Sequence, residues 1–101
     1  MFTEVADDLV DKAISAELSQ AKMLYGTRYS SDHEGWAVLK EEIEEAMSDF
    51  SQISKSFRNS WEKIKQNETV KNDLDDIIVF SKLLALEAIQ ICAVATKWRN
   101  K

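Results

Sequence analysis

The sequence predicts an all-α fold, an antiparallel helical bundle of about four helices. The chain has 101 residues with no proline and only two glycines. Hydrophobic residues make up 45% and charged residues 31%, a composition that favours long uninterrupted helices over hairpins. Apolar residues also recur at steps of three and four along most of the chain. A chain of this length forms one domain at most, so we expect residues 1–101 to form a single domain.

The first helix is predicted over roughly residues 4–25. Its apolar positions step mostly by three and four, and they are Val5, Leu9, Ala13, Ala16, Leu18, Ala21 and Leu24. Thr3 is a suitable N-cap, and Gly26 can adopt the left-handed conformation that ends a helix. The polar stretch TRYSSD, residues 27–32, is predicted to be a loop in which Ser31 or Asp32 caps the next helix.

The second helix is predicted over about residues 33–66. We call its regularly spaced apolar positions the apolar seam: Trp36, Leu39, Ile43, Met47, Phe50, Ile53, Phe57, Trp61 and Ile64. The serine-rich patch SQISKSFRNS, residues 51–60, can kink or break this helix, because serine hydroxyls compete for backbone hydrogen bonds. The pattern therefore does not decide whether this region forms one helix or two.

The last helix is predicted from near Asp73 to about Trp98, after the polar stretch QNETVKN, residues 66–72. Its central run LLALEAIQICAVA, residues 83–95, is apolar all round, so we expect it to be buried on every side in a bundle. The single cysteine, Cys92, is expected there as a small core residue, and one cysteine allows no disulfide framework.

Charge and hydropathy exclude several classes of partner. The net charge is −5 with no basic cluster, so we expect neither a polynucleotide nor an anionic membrane as partner. The start MFTEVADDLVDK carries acids where a secretory signal carries positive charge, and the run at residues 83–95 is too short and too polar to span a bilayer. A cytoplasmic protein is expected.

Acidic residues of the second helix form a stripe away from the apolar seam. They are Glu34, Glu41, Glu42 and Glu45. Such a run is usually the solvated face of a surface helix. The last helix changes this interpretation, because Glu87 and Gln90 point the same way inside its apolar run, where a carboxylate is costly unless it is paired or bound to a metal.

Inward carboxylates from different helices of a bundle are a known way to hold divalent metal. Hard oxygen ligands without a cysteine or histidine cluster favour Mg²⁺, with Mn²⁺ as an alternative, over zinc. A di-iron site needs Glu-x-x-His on two helices, and the only histidine, His33, has no glutamate three residues before it. The sequence therefore predicts that Glu87 and Gln90 face Glu42 and Glu45 across a magnesium site.

Three segments resemble a known family when taken in order. They are ELSQAKMLYG (17–26), SSDHEGWAVLKEEIEEA (30–46) and LEAIQICAVATKW (86–98). Together they resemble the MazG-like all-α nucleoside triphosphate pyrophosphohydrolases, and more narrowly the small phage and prophage members; the resemblance is weakest over residues 52–80. It implies Mg²⁺-dependent hydrolysis of a nucleoside triphosphate to its monophosphate and pyrophosphate, by a homodimer or homotetramer.

The resemblance also implies roles for particular acids. Glu42 and Glu45 would be the Glu-x-x-Glu metal ligands, with Glu41 as a helper or general base. Glu87 would open a second element that reads Glu-x-x-Asp in the wider family and ends here in Gln90. An amide oxygen can bind Mg²⁺ but brings no charge, so Gln90→Asp is expected to tighten metal binding.

Substrate contacts are expected from residues that precede or begin the second helix. Lys22, Arg28 and Lys40 are candidates for phosphate contacts, although each is more commonly a plain surface charge. Tyr25 or Trp36 can stack a base, with core packing as the commoner role for Trp36. His33 is a further candidate for substrate binding, although such a residue at a helix start is more commonly a plain surface residue.

A non-enzymatic helical protein is the alternative function. It would keep the acidic pocket and bind a nucleotide or a partner protein, with Gln90 marking lost catalysis. In either case the apolar area exceeds what one such bundle covers, which predicts a homo-oligomer with its sites at or near the subunit interface.

Overall fold

A computed structural model of the chain describes residues 2–100, which form three α-helices and no strand. The helices are α1 (Glu4–Tyr25), α2 (Asp32–Lys65) and α3 (Lys71–Arg99). The all-α class is confirmed, and the predicted helix bounds agree to within about two residues. The expected count of about four helices is wrong for the described chain, because α2 is unbroken.

The serine-rich patch lies inside α2 without interrupting it. Ser56 and Ser60 are buried, and the Ser60 hydroxyl donates a hydrogen bond of 2.6 Å to the Phe57 carbonyl one turn earlier. A serine that bonds back to the preceding turn satisfies its hydroxyl within the helix, so it competes little with the backbone ladder. The 34 residues of α2 therefore form one helix about 50 Å long.

Both ends of α1 and the start of α2 are capped as the sequence predicts. Thr3 Oγ1 accepts a hydrogen bond of 3.1 Å from the Ala6 N–H at the start of α1. Gly26, with φ of 85°, ends α1 and donates its N–H to the Lys22 carbonyl at 3.1 Å. Ser31 Oγ accepts from the Glu34 N–H at 3.1 Å and caps α2.

The connection between α2 and α3 is a left-handed helix cap followed by a short extended stretch. Asn67 has φ of 58°, its N–H donates to the Ile64 carbonyl, and the Glu68 N–H donates to the Lys63 carbonyl. This pair of bonds is a Schellman motif with asparagine in place of glycine. The Lys63 ammonium lies 2.9 Å from a carboxylate oxygen of Asp73, which ties the end of α2 to the first turn of α3.

The chain divides into two compact units, and α2 and α3 each contribute to both. One unit contains the described residues up to Ile43 together with those from Ala88 onward. In it, the Trp98 indole N–H donates to Asp32 Oδ1 at 2.8 Å, and Gly35 is buried beneath the Trp98 ring. The other unit is Glu44–Glu87, which contains the Lys63–Asp73 pair. The single-domain organisation stays a prediction.

Apolar burial is small in the described chain. Ala93 and Val94 are its only buried hydrophobic residues. The expectation that the apolar run of α3 is buried on every side is wrong, because one chain offers too few helix faces to cover it. Cys92 is exposed rather than in the core. Five large apolar residues of α3 are 41–60% exposed: Leu74, Ile78, Val79, Leu83 and Leu86.

Much of the apolar seam of α2 is also exposed. Trp36 is 58% exposed, so it is not the core residue that its spacing suggested. Phe57 is 69% and Trp61 58% exposed. A helix face of this kind normally packs against another element. The seam is therefore left largely without a covering partner within one chain.

One helix of the described chain, α3, is long and apolar enough to cross a membrane by length and composition alone. Its most apolar 18-residue window has a mean hydropathy of 2.0, and 11% of that window is buried. Core helices of soluble proteins pass the same criterion, so this is weak evidence for a membrane span. The absence of a membrane partner stays a prediction.

Candidate metal centre

Three carboxylates from α2 and α3 lie close together. One oxygen each from Glu42, Glu45 and Glu87 lies within 4.8 Å of the other two. Glu42 and Glu45 are three residues apart on α2, a spacing that places both on one side of the helix. Glu42 and Glu87 are half-buried and Glu45 is exposed. These are the three glutamates that the sequence nominated as metal ligands.

One oxygen of this group lacks a hydrogen-bond partner. Glu87 Oε2 is fully buried and accepts no hydrogen bond within the described chain. Leaving a buried polar group unsatisfied costs about 1–3 kcal/mol, and more for a charged group. A cation bound among the three carboxylates would remove that cost, and oxygen-only ligands are those that Mg²⁺ prefers. The donor set therefore fits a hard divalent metal.

Gln90 lies one turn after Glu87 on α3, and its amide has a partner on α1. The Gln90 Nε2 group donates a hydrogen bond of 2.7 Å to Glu17 Oε2, in a partly buried position. Sequence reasoning did not select Glu17, although this residue opens the first of the three segments described above. The local spacing gave no signal for the contact, because the two residues are 73 positions apart.

A buried lysine of α3 lies against the loop between α1 and α2. Lys97 is 2% exposed, and its ammonium lies 4.2 Å from the centre of the Tyr29 ring, a cation–π contact. Burial raises the pKa of Tyr29, and the charges of Glu34 and Glu42 raise it further. Glu42 also belongs to the three-carboxylate group, so Tyr29 lies within the electrostatic field of the candidate centre.

Glu34 has the opposite shift. The pKa of its carboxyl is lowered, first by the hydroxyl of Ser30, then by the Ser30 N–H, and also by the positive charge of Lys97. The two bonds from Ser30 measure 2.8 Å and 3.2 Å. Sequence analysis treated Glu34 only as part of the acidic stripe and did not select Lys97. The available signal was the lysine that follows the apolar run of α3.

An aromatic hollow contains two of the predicted substrate residues. Its volume is about 260 Å³, and it is lined by Asp32, His33, Trp36 and Trp98. Sequence analysis nominated His33 and Trp36 but not Trp98, which arrives from the end of α3. Two indole rings beside an imidazole can stack a planar heterocycle, and the hollow is open enough for Trp36 to remain 58% exposed.

The other predicted residues lie on α1, on α2 and in the loop between them. Glu41 and Lys40 are exposed on α2, and Lys22 is half-buried in the last turn of α1. Tyr25 is 76% exposed at the end of α1, and Arg28 is exposed in the following loop. Their proposed roles stay predictions.

Comparisons of the chain with protein-family models, with curated proteins and with solved structures found no match. The resemblance to MazG-like enzymes accordingly depends on the three sequence segments.

Proposed function

We propose that the protein is a Mg²⁺-dependent nucleoside triphosphate pyrophosphohydrolase that forms a nucleoside monophosphate and pyrophosphate. The observation that supports this most directly is the convergence of Glu42, Glu45 and Glu87, with a buried oxygen of Glu87 left unpartnered. Mn²⁺ is the alternative metal, because it accepts the same oxygen ligands.

The reaction adds water across one phosphoanhydride bond of the triphosphate. When bound, the metal supplies charge neutralisation and water activation, which a site built from carboxylates alone lacks. Glu42, Glu45 and Glu87 would hold it, and Glu41 would accept the proton of the attacking water. Positioning and charge neutralisation account for most of the catalysis in phosphoryl chemistry, so the site needs no covalent intermediate.

Substrate placement follows from the side chains around the start of α2. The base stacks in the hollow of His33, Trp36 and Trp98, which is supported by its aromatic lining. Such stacking contributes about 1–3 kcal/mol per base. Lys22 and Lys40 contact the phosphates, and Tyr25 contributes to the base side. These substrate contacts are proposed by extension of the resemblance to MazG-like enzymes.

A homodimer or homotetramer is part of the proposal. The exposed apolar seam of α2 and the exposed apolar residues of α3 support it, because a second copy would cover them. The partners we propose are the nucleotide substrate and other copies of the chain, without polynucleotide or membrane. The protein acts in the cytoplasm.

A non-catalytic nucleotide- or protein-binding role is the second candidate. It is favoured by one observation: position 90 carries an amide, and the nitrogen of that amide donates to Glu17. The α3 element thus provides one carboxylate where the enzymes it resembles have two. Metal-dependent release of pyrophosphate distinguishes the two functions.

The test is a screen of the purified protein against nucleoside triphosphates with Mg²⁺ or Mn²⁺, scored by pyrophosphate release. Glu87→Gln should abolish turnover and weaken Mg²⁺ binding, since it removes a ligand charge, while the helical circular dichroism stays unchanged. Asp75→Asn is a matched control, because Asp75 is an exposed acid on the same helix.

Mg²⁺ binding to the folded state should also raise the melting temperature. The free energy of unfolding increases by about 2.7 kcal/mol when free Mg²⁺ is a hundredfold above its Kd. A wild-type protein whose melting temperature does not change in millimolar Mg²⁺, and which releases no pyrophosphate from any substrate, would contradict the proposal. Metal binding without turnover would favour the second candidate.

A further inference from the structure

The Glu17–Gln90 pair links α1 to α3 close to the candidate metal centre. The bond is 2.7 Å long and partly buried, and it joins residues 73 positions apart. Gln90 follows Glu87 by three residues on α3, so the two side chains lie on the same side of that helix. Glu17 is itself half-buried. The pair therefore places a carboxylate from α1 next to the α3 element of the site.

Hydrogen-bonding chemistry determines which end of the Gln90 amide faces Glu17. A carboxylate only accepts hydrogen bonds, so the amide must present its nitrogen and not its oxygen. A bond to an ionised acceptor is also stronger than one between neutral groups. Gln90 thereby holds the Glu17 carboxylate in a fixed orientation and compensates part of the cost of its burial.

We infer that Glu17 supplies to the metal centre the negative charge that position 90 lacks, and that Gln90 is the residue that positions it. This inference rests on the proposed function. Glu17 is outside the group of three clustered oxygens, so its effect on the metal is that of an outer carboxylate. Outer partners of this kind change metal affinity by about 10–100-fold.

The pair reverses the expectation for Gln90→Asp that the sequence alone supports. An acid at position 90 would face the Glu17 carboxylate, and two like charges that close repel each other. Adding a charge at position 90 should therefore weaken the site unless the charge at position 17 is removed. A glutamine at position 90 can donate a hydrogen bond to the Glu17 carboxylate of α1, which an acid at that position could not do when ionised.

The test measures Mn²⁺ binding to the full chain by titration calorimetry, with the metal alone as probe. Glu17→Gln keeps the shape and the hydrogen bond, because its amide oxygen still accepts from Gln90, and removes only the charge. We expect its Kd for Mn²⁺ to rise about tenfold. The melting temperature without metal should not fall, as it would if Glu17 had only a structural role.

Exchanging the two side chains completes the test. Gln90→Glu alone should weaken Mn²⁺ binding, and the double variant Glu17→Gln with Gln90→Glu should recover it, because one charge and one amide again face each other. Unchanged Kd values in Glu17→Gln, with binding lost in Glu87→Gln, would overturn the inference and leave the metal centre in place. A wild-type protein that binds no Mn²⁺ would overturn both.

Discussion

Tyr29, in the loop between α1 and α2, shows how the surroundings of one residue set its acidity. Burial raises the pKa of its phenol, and Glu34 and Glu42 add to the rise because a nearby negative charge disfavours the phenolate. The Lys97 ammonium lies over the same ring. Four side chains from the loop and two helices thus form one electrostatic group.

Removing one of these charges gives a prediction at the residue scale. Glu42→Gln should lower the pKa of Tyr29, because one of the negative charges that oppose ionisation is lost. The measurement is the ultraviolet absorbance of tyrosinate as pH rises, with Tyr29→Phe to assign its contribution. An unchanged Tyr29 midpoint in Glu42→Gln would contradict the placement of these groups.

The same shift has a consequence for stability. A phenol whose folded pKa lies above its unfolded value of 10.0 binds its proton more tightly in the folded state. Its contribution to stability is therefore fully present below pH 10 and is lost as pH rises through the folded pKa. The free energy of unfolding should decline over that window less steeply in Tyr29→Phe than in the wild type.

Gly35 gives a prediction at the scale of helix packing. A Cβ at this position would lie 2.7 Å from the Trp98 ring, so α2 and α3 approach closely there because glycine has no side chain. Gly35→Ala should destabilise the protein by about 1–3 kcal/mol through overpacking. In an open helix position the same change stabilises by up to about 1 kcal/mol.

Whether Gly35→Ala lowers or raises the free energy of unfolding therefore distinguishes overpacking against Trp98 from helix propensity. Urea unfolding of Gly35→Ala, Trp98→Leu and the double variant would measure it, and the alanine should cost less once the indole is gone. Equal costs in both backgrounds would mean that the ring is not what excludes a side chain at position 35.

Helix ends and helix continuity differ in how far the sequence predicts them. Thr3, Gly26 and Ser31 are confirmed as caps, because capping depends on residues within one turn. The serine patch left the continuity of α2 open, and the structure resolves it through a hydrogen bond from Ser60 to its own helix. Local patterns identify where a helix can break, and packing decides whether it does.

Large apolar residues are exposed on all three helices. A hollow with a volume of about 630 Å³ lies on α2. It is lined by Phe57, Trp61 and Ile64 together with four polar residues of the same helix: Arg58, Asn59, Ser60 and Glu62. It continues the exposed apolar seam. Exposed apolar surface of this extent is uncommon on a monomeric protein.

Charged substitutions in this surface give a prediction for assembly. Phe57→Asp or Trp61→Asp should reduce the mass measured by light scattering and also reduce pyrophosphate release, because an interface would have to bury the new charge. Lys55→Asp is the control, since Lys55 is exposed and lies about 160° around α2 from Phe57. A well-folded, fully active wild-type monomer at micromolar concentration would rule the assembly out.

The sequence by itself determined the all-α class, the helix bounds and the caps, because each depends on side chains a few residues apart. It also predicted that Glu87 faces Glu42 and Glu45, because a carboxylate inside an apolar run needs a partner or a metal. Only the tertiary structure decided that Gln90 donates to Glu17 and that Lys97 covers Tyr29. Those contacts join distant parts of the chain, and their geometry depends on how the helices pack, which no local period encodes.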